Sequence, residues 1–393
     1  MAVSGGHRLR GLDALRGFAA IYVVLYHAVM QSPRDEWNAP LRWLAASVRG
    51  FVHYGYISVF LFFVISGFCI HLHWAKAQAA GRDARLNFVP FWRRRMRRLY
   101  PPYLFALVIF LAVAAYSDGV AFTRFYLYDL VLHLTMLHNL DSHTAYGING
   151  VFWTLAIEEQ LYLAYFLLLF MRRRWNWRTT IAVCAAARVV WFVLSLLIKN
   201  KYGVFIPVNE AAAAHWFTWA LGALSVEAAF GLVTLPRWAR SWRVCVVALA
   251  AAAGMAYLQE NVQMVWYVHD AVWLLTHPLW AVGLFVVVNR VVAAELTGRL
   301  WHNVPRLWNW GAGVGLFSYS LYLTHELVML ETWRFTGRGL PGFVVAVLIM
   351  TPLTVACAWV FFWFCERPFL PRSARAAATP APLGAQSSEP VSA

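Results

Sequence analysis

Long apolar runs are the sequence feature that most restricts how this chain can fold. They recur throughout its 393 residues, and each has the length of about 17 to 25 residues that lets a helix cross about 30 Å of hydrocarbon. The chain is 61% hydrophobic and only 13% charged, whereas soluble domains carry about 25% charged residues. A soluble core could not bury so much apolar surface. We therefore predict an all-α, polytopic helix bundle in a cell membrane.

Ten of these runs are assigned as membrane spans, and the basic residues between them predict their direction. With the N-terminus in the cytoplasm, the inner segments hold 24 of the 33 Lys and Arg residues, the outer segments hold eight, and Arg188 lies within a span. Because cytoplasmic loops of membrane proteins are enriched in Lys and Arg, both termini are predicted to be cytoplasmic. The predicted spans are 12–32, 54–73, 101–118, 151–171, 179–198, 212–232, 243–260, 268–289, 311–332 and 341–364.

The rest of the chain leaves no room for a second folded domain. Residues 122–140 are apolar but interrupted by charged and histidine side chains, which indicates an interfacial or re-entrant helix. Residues 1–372 are therefore predicted to form one transmembrane domain. Residues 373–393 are rich in Ala, Pro and Ser and lack a hydrophobic pattern, so we predict a disordered cytoplasmic tail. The first run continues to about Met30, which is too long for the core of a cleaved signal peptide.

The positive charge and the cysteines exclude other classes of protein. A net charge of +15 is typical of nucleic-acid binding, but here the basic residues lie between apolar runs, where they orient the chain in the membrane. We therefore expect no nucleic-acid partner. The five cysteines lie inside apolar runs without C-x-x-C spacing, and the histidines lack metal-ligand spacing. We expect neither disulfides nor a metal ion.

His27 is the residue within an apolar run that most strongly suggests chemistry, because ionisable groups inside a bilayer are costly. It follows Arg16 by eleven positions, about three helical turns, so both side chains share one helix face about 16 Å apart along the axis. A guanidinium at the mouth of a groove and a base at its end suit a long phosphorylated donor. A topology role for Arg16 and a structural hydrogen bond for His27 explain the same pattern equally well.

A second motif, FWRRRMRRLYPPY, places five arginines immediately before the third span. Arg94 and Arg98 are four residues apart and share a helix face, with Arg95 beside them. Guanidinium groups bind phosphates through paired hydrogen bonds. Arginines at this border also orient a span, but five within six positions exceed that need, which favours anion binding.

A third motif, NGVFWTLAIEEQLYL, brings two carboxylates into the outer half of the fourth span. We predict that Glu158 lies at the depth of His27 and orients that imidazole as a general base. One of the two glutamates is expected to face water instead. Trp153 precedes the pair, and Tyr162 follows Glu158 by one helical turn, so both are further candidates.

Four weaker candidates also have ordinary structural explanations. In FSYSLYLTHE, Ser318, Tyr322 and His325 fall along one face of the ninth span, where His325 is either a second base or a structural hydrogen-bonding residue. Ser66, in the segment SGF, is a candidate for donor binding, although small residues there also suit helix packing.

Two pairs of residues inside the spans are predicted to be structural. Gly311 and Gly315 look like part of a nucleotide-binding loop, but no strand precedes them, so we predict that they pack helices. Arg188 lies in the fifth span, and Glu227 in the next span is a candidate partner for its charge.

In their order and spacing, these motifs resemble those of the acyltransferase family 3 membrane proteins, which include bacterial O-acetyltransferases of surface glycans. The resemblance runs from about Arg10 to Pro368. Thr154 stands where the family's fourth motif usually has Ser. The matching segments are LDALRGFAAIYVVLYHA, LFFVISGF, RRRMRRLYPPY, WTLAIEEQLYL, FSYSLYLTH and CERP.

The resemblance implies roles for the matched residues. It implies that acyl-CoA from the cytosol is the donor, that His27 and Arg16 form the essential pair, and that Glu158 belongs to an outer acidic motif. Some family members carry a fused extracytoplasmic hydrolase-like domain. This chain shows none after its last span, so we expect it to act alone or with a separate extracytoplasmic partner enzyme. The residues implied to hold the donor are Arg16, Arg94, Arg95 and Arg98.

The sequence thus predicts a membrane-bound O-acyltransferase of the bacterial inner membrane. It would use acetyl-CoA or another acyl-CoA and a carbohydrate or glycan acceptor. His27 would either deprotonate the acceptor hydroxyl or carry the acyl group briefly itself. The alternative is a transporter that exports a small acylated or acidic solute, since intramembrane His, Arg and Glu also suit transport. Against it, the sequence shows no paired halves with matching broken helices.

Overall fold

The computed structural model describes residues 9–30, 39–84, 86–117, 123–300, 305–333 and 339–371. Within these ranges all regular structure is helical, which confirms the predicted all-α class. The predicted tail, 373–393, lies outside the described residues. The α-helices are α1 (Arg10–Met30), α2 (Ala39–Val52), α3 (Ser58–Ala79), α4 (Phe88–Ser117), α5 (Arg124–Leu134), α6 (Trp153–Arg174), α7 (Trp177–Tyr202), α8 (Ala212–Ala229), α9 (Trp242–Asn261), α10 (Trp266–Leu296), α11 (Pro305–Leu316), α12 (Ser318–Trp333), α13 (Gly339–Val345) and α14 (Thr351–Phe361).

Eight helical stretches of the described chain are long and apolar enough to cross a membrane, and each coincides with a predicted span. The sixth predicted span corresponds to α8, an 18-residue helix that carries the buried residues His215 and Glu227. The ninth is divided at Phe317 between α11 and α12. The eight stretches are Arg10–Met30, Ala46–Ala79, Phe88–Tyr116, Trp153–Arg174, Trp177–Tyr202, Trp242–Asn261, Tyr267–Leu296 and Gly342–Phe369.

The segment predicted to be interfacial or re-entrant contains α5, which has only 11 residues and is too short to cross a bilayer. Its C-terminal end rests against the middle of α4. There, the hydroxyl of Tyr103 donates a hydrogen bond to the carbonyl oxygen of His133 at 3.0 Å, and the hydroxyl of Tyr100 donates to that of Leu134.

Glycines allow α3 and α8 to cross in backbone contact. A Cβ atom added at Gly67 would lie 2.0 Å from the carbonyl oxygen of Trp219, and one added at Gly222 would lie 1.9 Å from that of Val64. Both distances are far below van der Waals contact, so only glycine fits at this crossing. Helix packing is therefore the structural explanation for the glycine of the SGF segment.

The packing predicted for Gly311 and Gly315 is also present, with α1 as the partner helix. A Cβ atom at Gly17 would lie 2.0 Å from the carbonyl oxygen of Gly311, and one at Gly315 would lie 1.9 Å from that of Asp13. This contact fixes the first half of α1, including Arg16, against the break between α11 and α12.

Replacing Gly222 by alanine is expected to destabilise the bundle. The added methyl group would collide with the α3 backbone, and overpacking of this kind costs about 1–3 kcal/mol. The measurement is the thermal denaturation midpoint of the detergent-solubilised protein, which should fall. Gly254→Ala is the matched control, because Gly254 lies within α9 and its added Cβ would meet no atom within 4 Å. Equal midpoints for the two variants would contradict the proposed contact.

Candidate active site

A cavity lies between α1, α3, α4, α6, α11, α12 and the end of the last membrane-crossing stretch. It encloses about 970 Å³ of empty space, including its open side, which is a size typical of small-molecule sites. Both apolar and polar side chains line it. The polar ones are Arg16, Ser66, Cys69, Arg95, Arg98, Thr154, Glu158, Tyr162, Ser318, Tyr319, Tyr322 and Glu366.

Three guanidinium groups line this cavity. Arg16 of α1 lies 3.9 Å from the carboxylate of Asp13 and donates a hydrogen bond to the sulfur of Cys69 at 3.5 Å. Arg95 stacks over the ring of Tyr162 at 6.0 Å, and Arg98 lies one turn further along α4. The cavity is therefore cationic on the side of α4 and the first half of α1.

Arg94 does not line the cavity with Arg95 and Arg98, and its predicted role in donor binding stays a prediction. Arg94 is exposed and borders a shallow groove on the outside of α4, which Arg97 also borders. The reason is helical geometry: at about 100° per residue, Arg98 lies between Arg94 and Arg95 around the helix, and Arg94 is turned by about 100° from Arg95. Arg95 and Arg98 border both spaces, so the groove and the cavity adjoin.

Glu158 lies among these cations and not beside His27. One of its carboxylate oxygens accepts a hydrogen bond from Ser66 at 2.8 Å and another from the hydroxyl of Tyr162. It is also within electrostatic reach of Arg16 and Arg95. A buried carboxylate is stable only where charges and donors compensate it. The predicted pairing of Glu158 with His27 is therefore wrong, since no hydrogen bond joins them among the described residues.

His27 and His325 form a pair of imidazoles. Their ring centroids are 5.0 Å apart. The Nδ1 atom of His325 lies 2.7 Å from the carbonyl oxygen of Tyr322, so it must carry the proton and donate it. Nε2 of His325 therefore holds a lone pair, and this atom is buried without a hydrogen-bond partner among the described residues. His27 is half-buried and contacts His325 and Tyr26 through ring faces and edges.

Tyr322 contacts both the cavity and His325. Its side chain lines the cavity, while its ring packs 5.5 Å from His325 and 6.1 Å from Phe62. Its hydroxyl lies 2.6 Å from that of Thr154 and 2.9 Å from the carbonyl oxygen of Val151. His27 and His325 do not line the cavity, and Tyr322 is a lining residue whose ring contacts that of His325.

The remaining candidates divide between the cavity and other places. Ser66, Tyr162 and Ser318 line the cavity, and the hydroxyl of Ser318 donates to the carbonyl oxygen of Gly315 at 3.0 Å. Trp153 does not line it. Its ring packs near Tyr146 and His215 on the far side of α6.

The structure also corrects the expected pairing of Arg188 with Glu227. Arg188 donates to the carbonyl oxygens of Ala214 and Trp273 at 2.7 and 2.6 Å. Glu227 instead accepts three hydrogen bonds from Arg172 and lies 3.0 Å from Nε2 of His71. Arg188 lies in the middle of α7 and Glu227 near the C-terminal end of α8, so each finds a partner at its own depth.

Comparison with known proteins gives this arrangement a context. The model of a family described as "Acyltransferase domain" matches residues 9–363. The chain belongs to this acyltransferase family. No solved structure matches the chain.

Three named relatives have between 27% and 30% sequence identity to this chain. The O-acetyltransferase OatA of Staphylococcus aureus is 27% identical over 208 residues, which cover 48% of this chain and 30% of that protein. YrhL of Bacillus subtilis is 30% identical over 168 residues, 40% of this chain and 23% of YrhL. The peptidoglycan O-acetyltransferase OatA of Listeria monocytogenes is 29% identical over 180 residues, 41% of this chain and 24% of the relative. The matched part is thus under a third of each relative.

Sequence reasoning missed several residues of the cavity, among them Glu366 and Tyr319. Glu366 is 2% exposed, and its carboxylate accepts hydrogen bonds from the backbone N–H of Ser320 at 3.1 Å and from its hydroxyl at 2.5 Å. Tyr319 donates to the carbonyl oxygen of Leu99 at 2.9 Å. The signal for Glu366 was the motif CERP, because a carboxylate at the end of an apolar run needs compensating partners. Tyr319 lay within the singled-out motif FSYSLYLTH.

Proposed function

We propose that this chain is a membrane-bound O-acyltransferase that moves an acetyl group from acetyl-CoA to a hydroxyl of a glycan. The observation that carries the proposal is one cavity that has Arg16, Arg95 and Arg98 in its wall and the imidazoles of His27 and His325 behind Tyr322. An anion site joined to a base site suits a phosphorylated donor with a reactive end. The relatives that are named O-acetyltransferases support the same reaction.

The donor is proposed to enter from the cytosol with its phosphates at the arginines. The groove beside the cavity carries Arg94 and Arg97 as well as Arg95 and Arg98, which gives a diphosphate several guanidinium donors. The cavity wall follows α3 from Ile70 to Val59, which are eleven positions and therefore about 16 Å apart. A cavity of this length suits an extended arm that ends in a thioester.

His27 is proposed to act as the general base. Its imidazole takes the proton of the acceptor hydroxyl while the hydroxyl oxygen attacks the carbonyl carbon of the thioester. The carbon–sulfur bond then breaks, and the departing CoA sulfur receives the proton from His27. We propose that His325 accepts a hydrogen bond from protonated His27 during this step, because its Nε2 lacks a partner among the described residues and the two ring centroids are 5.0 Å apart.

Tyr322 must turn aside for the thioester to reach His27. In the structure its side chain lines the cavity, its ring packs against that of His325, and its hydroxyl is hydrogen-bonded to Thr154 and Val151. Binding of the donor arm supplies the free energy for this movement if the arm binds more tightly to the conformation with Tyr322 turned aside than to the conformation in the structure. Such a barrier would keep the thioester from water until the donor is seated.

The acceptor is proposed to be a glycan at the outer side of a bacterial cell membrane. One relative is a peptidoglycan O-acetyltransferase, which supports a polysaccharide acceptor. His27 lies three residues before the end of α1, the end that basic-residue distribution assigns to the outside. A base at that end meets an external hydroxyl more readily than a cytosolic one.

Release of CoA tests the proposed function. The purified protein in lipid nanodiscs receives acetyl-CoA and a soluble oligosaccharide such as chitotetraose, and free thiol is followed with a thiol-reactive dye. We expect thiol release that depends on the oligosaccharide, with an acetylated sugar of matching amount by mass spectrometry. A transporter would move solute across liposomes without freeing thiol. Thiol release that never rises with any hydroxylated acceptor would contradict the acyltransferase proposal.

A further inference from the structure

We propose a binding site for an uncharged glycan segment at the outer side of His27, formed by a group of aromatic side chains with carboxylates at its border. This inference rests on the proposed function and adds the place and the chemical class of the acceptor. We call the site the acceptor vestibule. Its aromatic members are Tyr26, Tyr54, Tyr56, Tyr146 and Trp273.

The aromatic rings form a chain of contacts that begins at the proposed base. The ring of Tyr26 lies 5.1 Å from that of His27 and 6.1 Å from that of Tyr56. Tyr56 in turn lies 6.3 Å from Tyr54 and 6.4 Å from Trp273. These centroid distances are those of interacting aromatic pairs. A sugar ring held by this group would lie within reach of His27.

The members come from separate parts of the chain that meet at the outer ends of the helices. Tyr26 belongs to α1, Tyr54 and Tyr56 belong to a 3₁₀ turn before α3, and Trp273 belongs to α10. Each of these four is half-buried, and Tyr146, in the loop before α6, is 54% exposed. The rings therefore pack between helices and remain accessible, whereas a membrane-interface belt would point outward into lipid.

Carboxylates border the vestibule on two sides. Glu260, at the end of α9, is 2.6 Å from Nε2 of His53 and within electrostatic reach of Tyr26, Tyr54 and Tyr56. On the other side, the hydroxyl of Tyr146 donates to Glu210 at 2.5 Å.

Asp270 adds a third carboxylate near Glu210, and Tyr146 in turn lies within electrostatic reach of Tyr26. Burial raises the pKa of Glu210, which lies in the loop before α8. The border therefore offers hydrogen-bond acceptors on both sides of the rings, and its charge is negative.

This combination selects an uncharged glycan. The apolar face of a sugar ring packs on an aromatic ring, and its hydroxyl groups donate to carboxylates. Sites that bind small ligands are likewise formed by apolar and aromatic side chains together with a few polar groups. Carboxylates at the border repel anionic sugars, since like charges in a partly buried site are costly. One buried atom next to these rings, Nδ1 of His277, lacks a hydrogen-bond partner among the described residues.

The test compares two tetrasaccharides of equal length, uncharged chitotetraose and anionic tetragalacturonate. Binding to the full chain in nanodiscs is followed by saturation-transfer NMR titration. We expect chitotetraose to bind at least about tenfold more tightly than tetragalacturonate, and Tyr56→Ala and Trp273→Ala each to weaken chitotetraose binding at least about tenfold. Tyr116→Ala is the matched control, because Tyr116 is a 93% exposed tyrosine at the end of α4. Unchanged acetyl-CoA binding would show that the variants are folded.

Three outcomes would separate the vestibule from the proposed function. Chitotetraose binding that survives both vestibule substitutions would overturn the vestibule. A preference for tetragalacturonate would do the same, because it contradicts the negative border. Binding that is lost in both variants, with wild-type protein that never frees CoA thiol, would support the vestibule as a glycan site and overturn the acyltransferase.

Discussion

Acetyl transfer is expected to fall below detection when His27 is replaced by alanine, while the amount of protein in the membrane stays the same. A positioned general base contributes about 10²–10⁴-fold to a rate, and His325 has no described contact with the cavity except through Tyr322. The measurement is acceptor-dependent release of CoA thiol by the purified variant. Binding of acetyl-CoA should remain, because the arginines that hold it are unaltered.

His73→Ala is the control for this prediction. His73 is an exposed histidine of α3, far along the helix from the vestibule, and it does not line the cavity. Its replacement should leave the rate within about twofold of the wild type, in line with the small effects of surface substitutions. Transfer by His27→Ala at the rate of His73→Ala would show that the imidazole of His27 is not the base.

The second large effect is expected at Arg95, whose replacement by glutamine should raise the KM for acetyl-CoA about 10- to 100-fold. Hydrogen bonds to charged groups contribute about 1.5–3 kcal/mol, and about 1.4 kcal/mol corresponds to tenfold in affinity. Because the phosphates lie far from the reacting carbonyl, kcat should change little. The measurement is the dependence of thiol release on acetyl-CoA concentration at saturating acceptor.

Arg93→Gln provides the comparison on the same helix. Arg93 is exposed and lines neither the cavity nor the adjoining groove. Its loss removes one positive charge at the same membrane border, so it reports the general electrostatic attraction of an anionic donor. If both variants raise the KM equally, the cavity has no specific role in donor binding.

The fold was largely predictable from the sequence because membrane spans are local features. Each needs only about 20 consecutive apolar residues, and eight of the ten predicted spans meet that criterion in the structure. The two exceptions have a physical cause. The ninth span breaks at Phe317, where Gly311 and Gly315 pack against α1, and α8 combines short length with two buried ionisable residues.

Many residues that line the cavity were predictable from the sequence, but the residues that each of them contacts were not. Arg16, Ser66, Arg95, Arg98, Glu158, Tyr162, Ser318 and Tyr322 all line one cavity. Helical spacing places residues of one helix on a common face, but it carries no information about which helices are neighbours. Glu158 therefore meets Ser66 of α3 rather than His27, and His27 meets His325 of α12.

The hydrogen-bond partner of Glu366 was also not predictable from the sequence. Its hydrogen bonds with Ser320 join residues 46 positions apart, and only the packing of the last membrane-crossing stretch on α12 brings them together. A carboxylate in an apolar run signals that a partner exists, but the identity of that partner depends on tertiary structure.

The most direct measurement is a cryo-EM structure of this chain with a non-hydrolysable thioether analogue of acetyl-CoA. We expect phosphate density at Arg95 and Arg98. We also expect the arm of the analogue to lie along α3 within the cavity, with the Tyr322 ring turned aside so that the thioether approaches His27. Density for the analogue outside the cavity, or an arm that ends away from the two histidines, would show that a cytosolic donor does not reach His27 through the arginine-lined cavity.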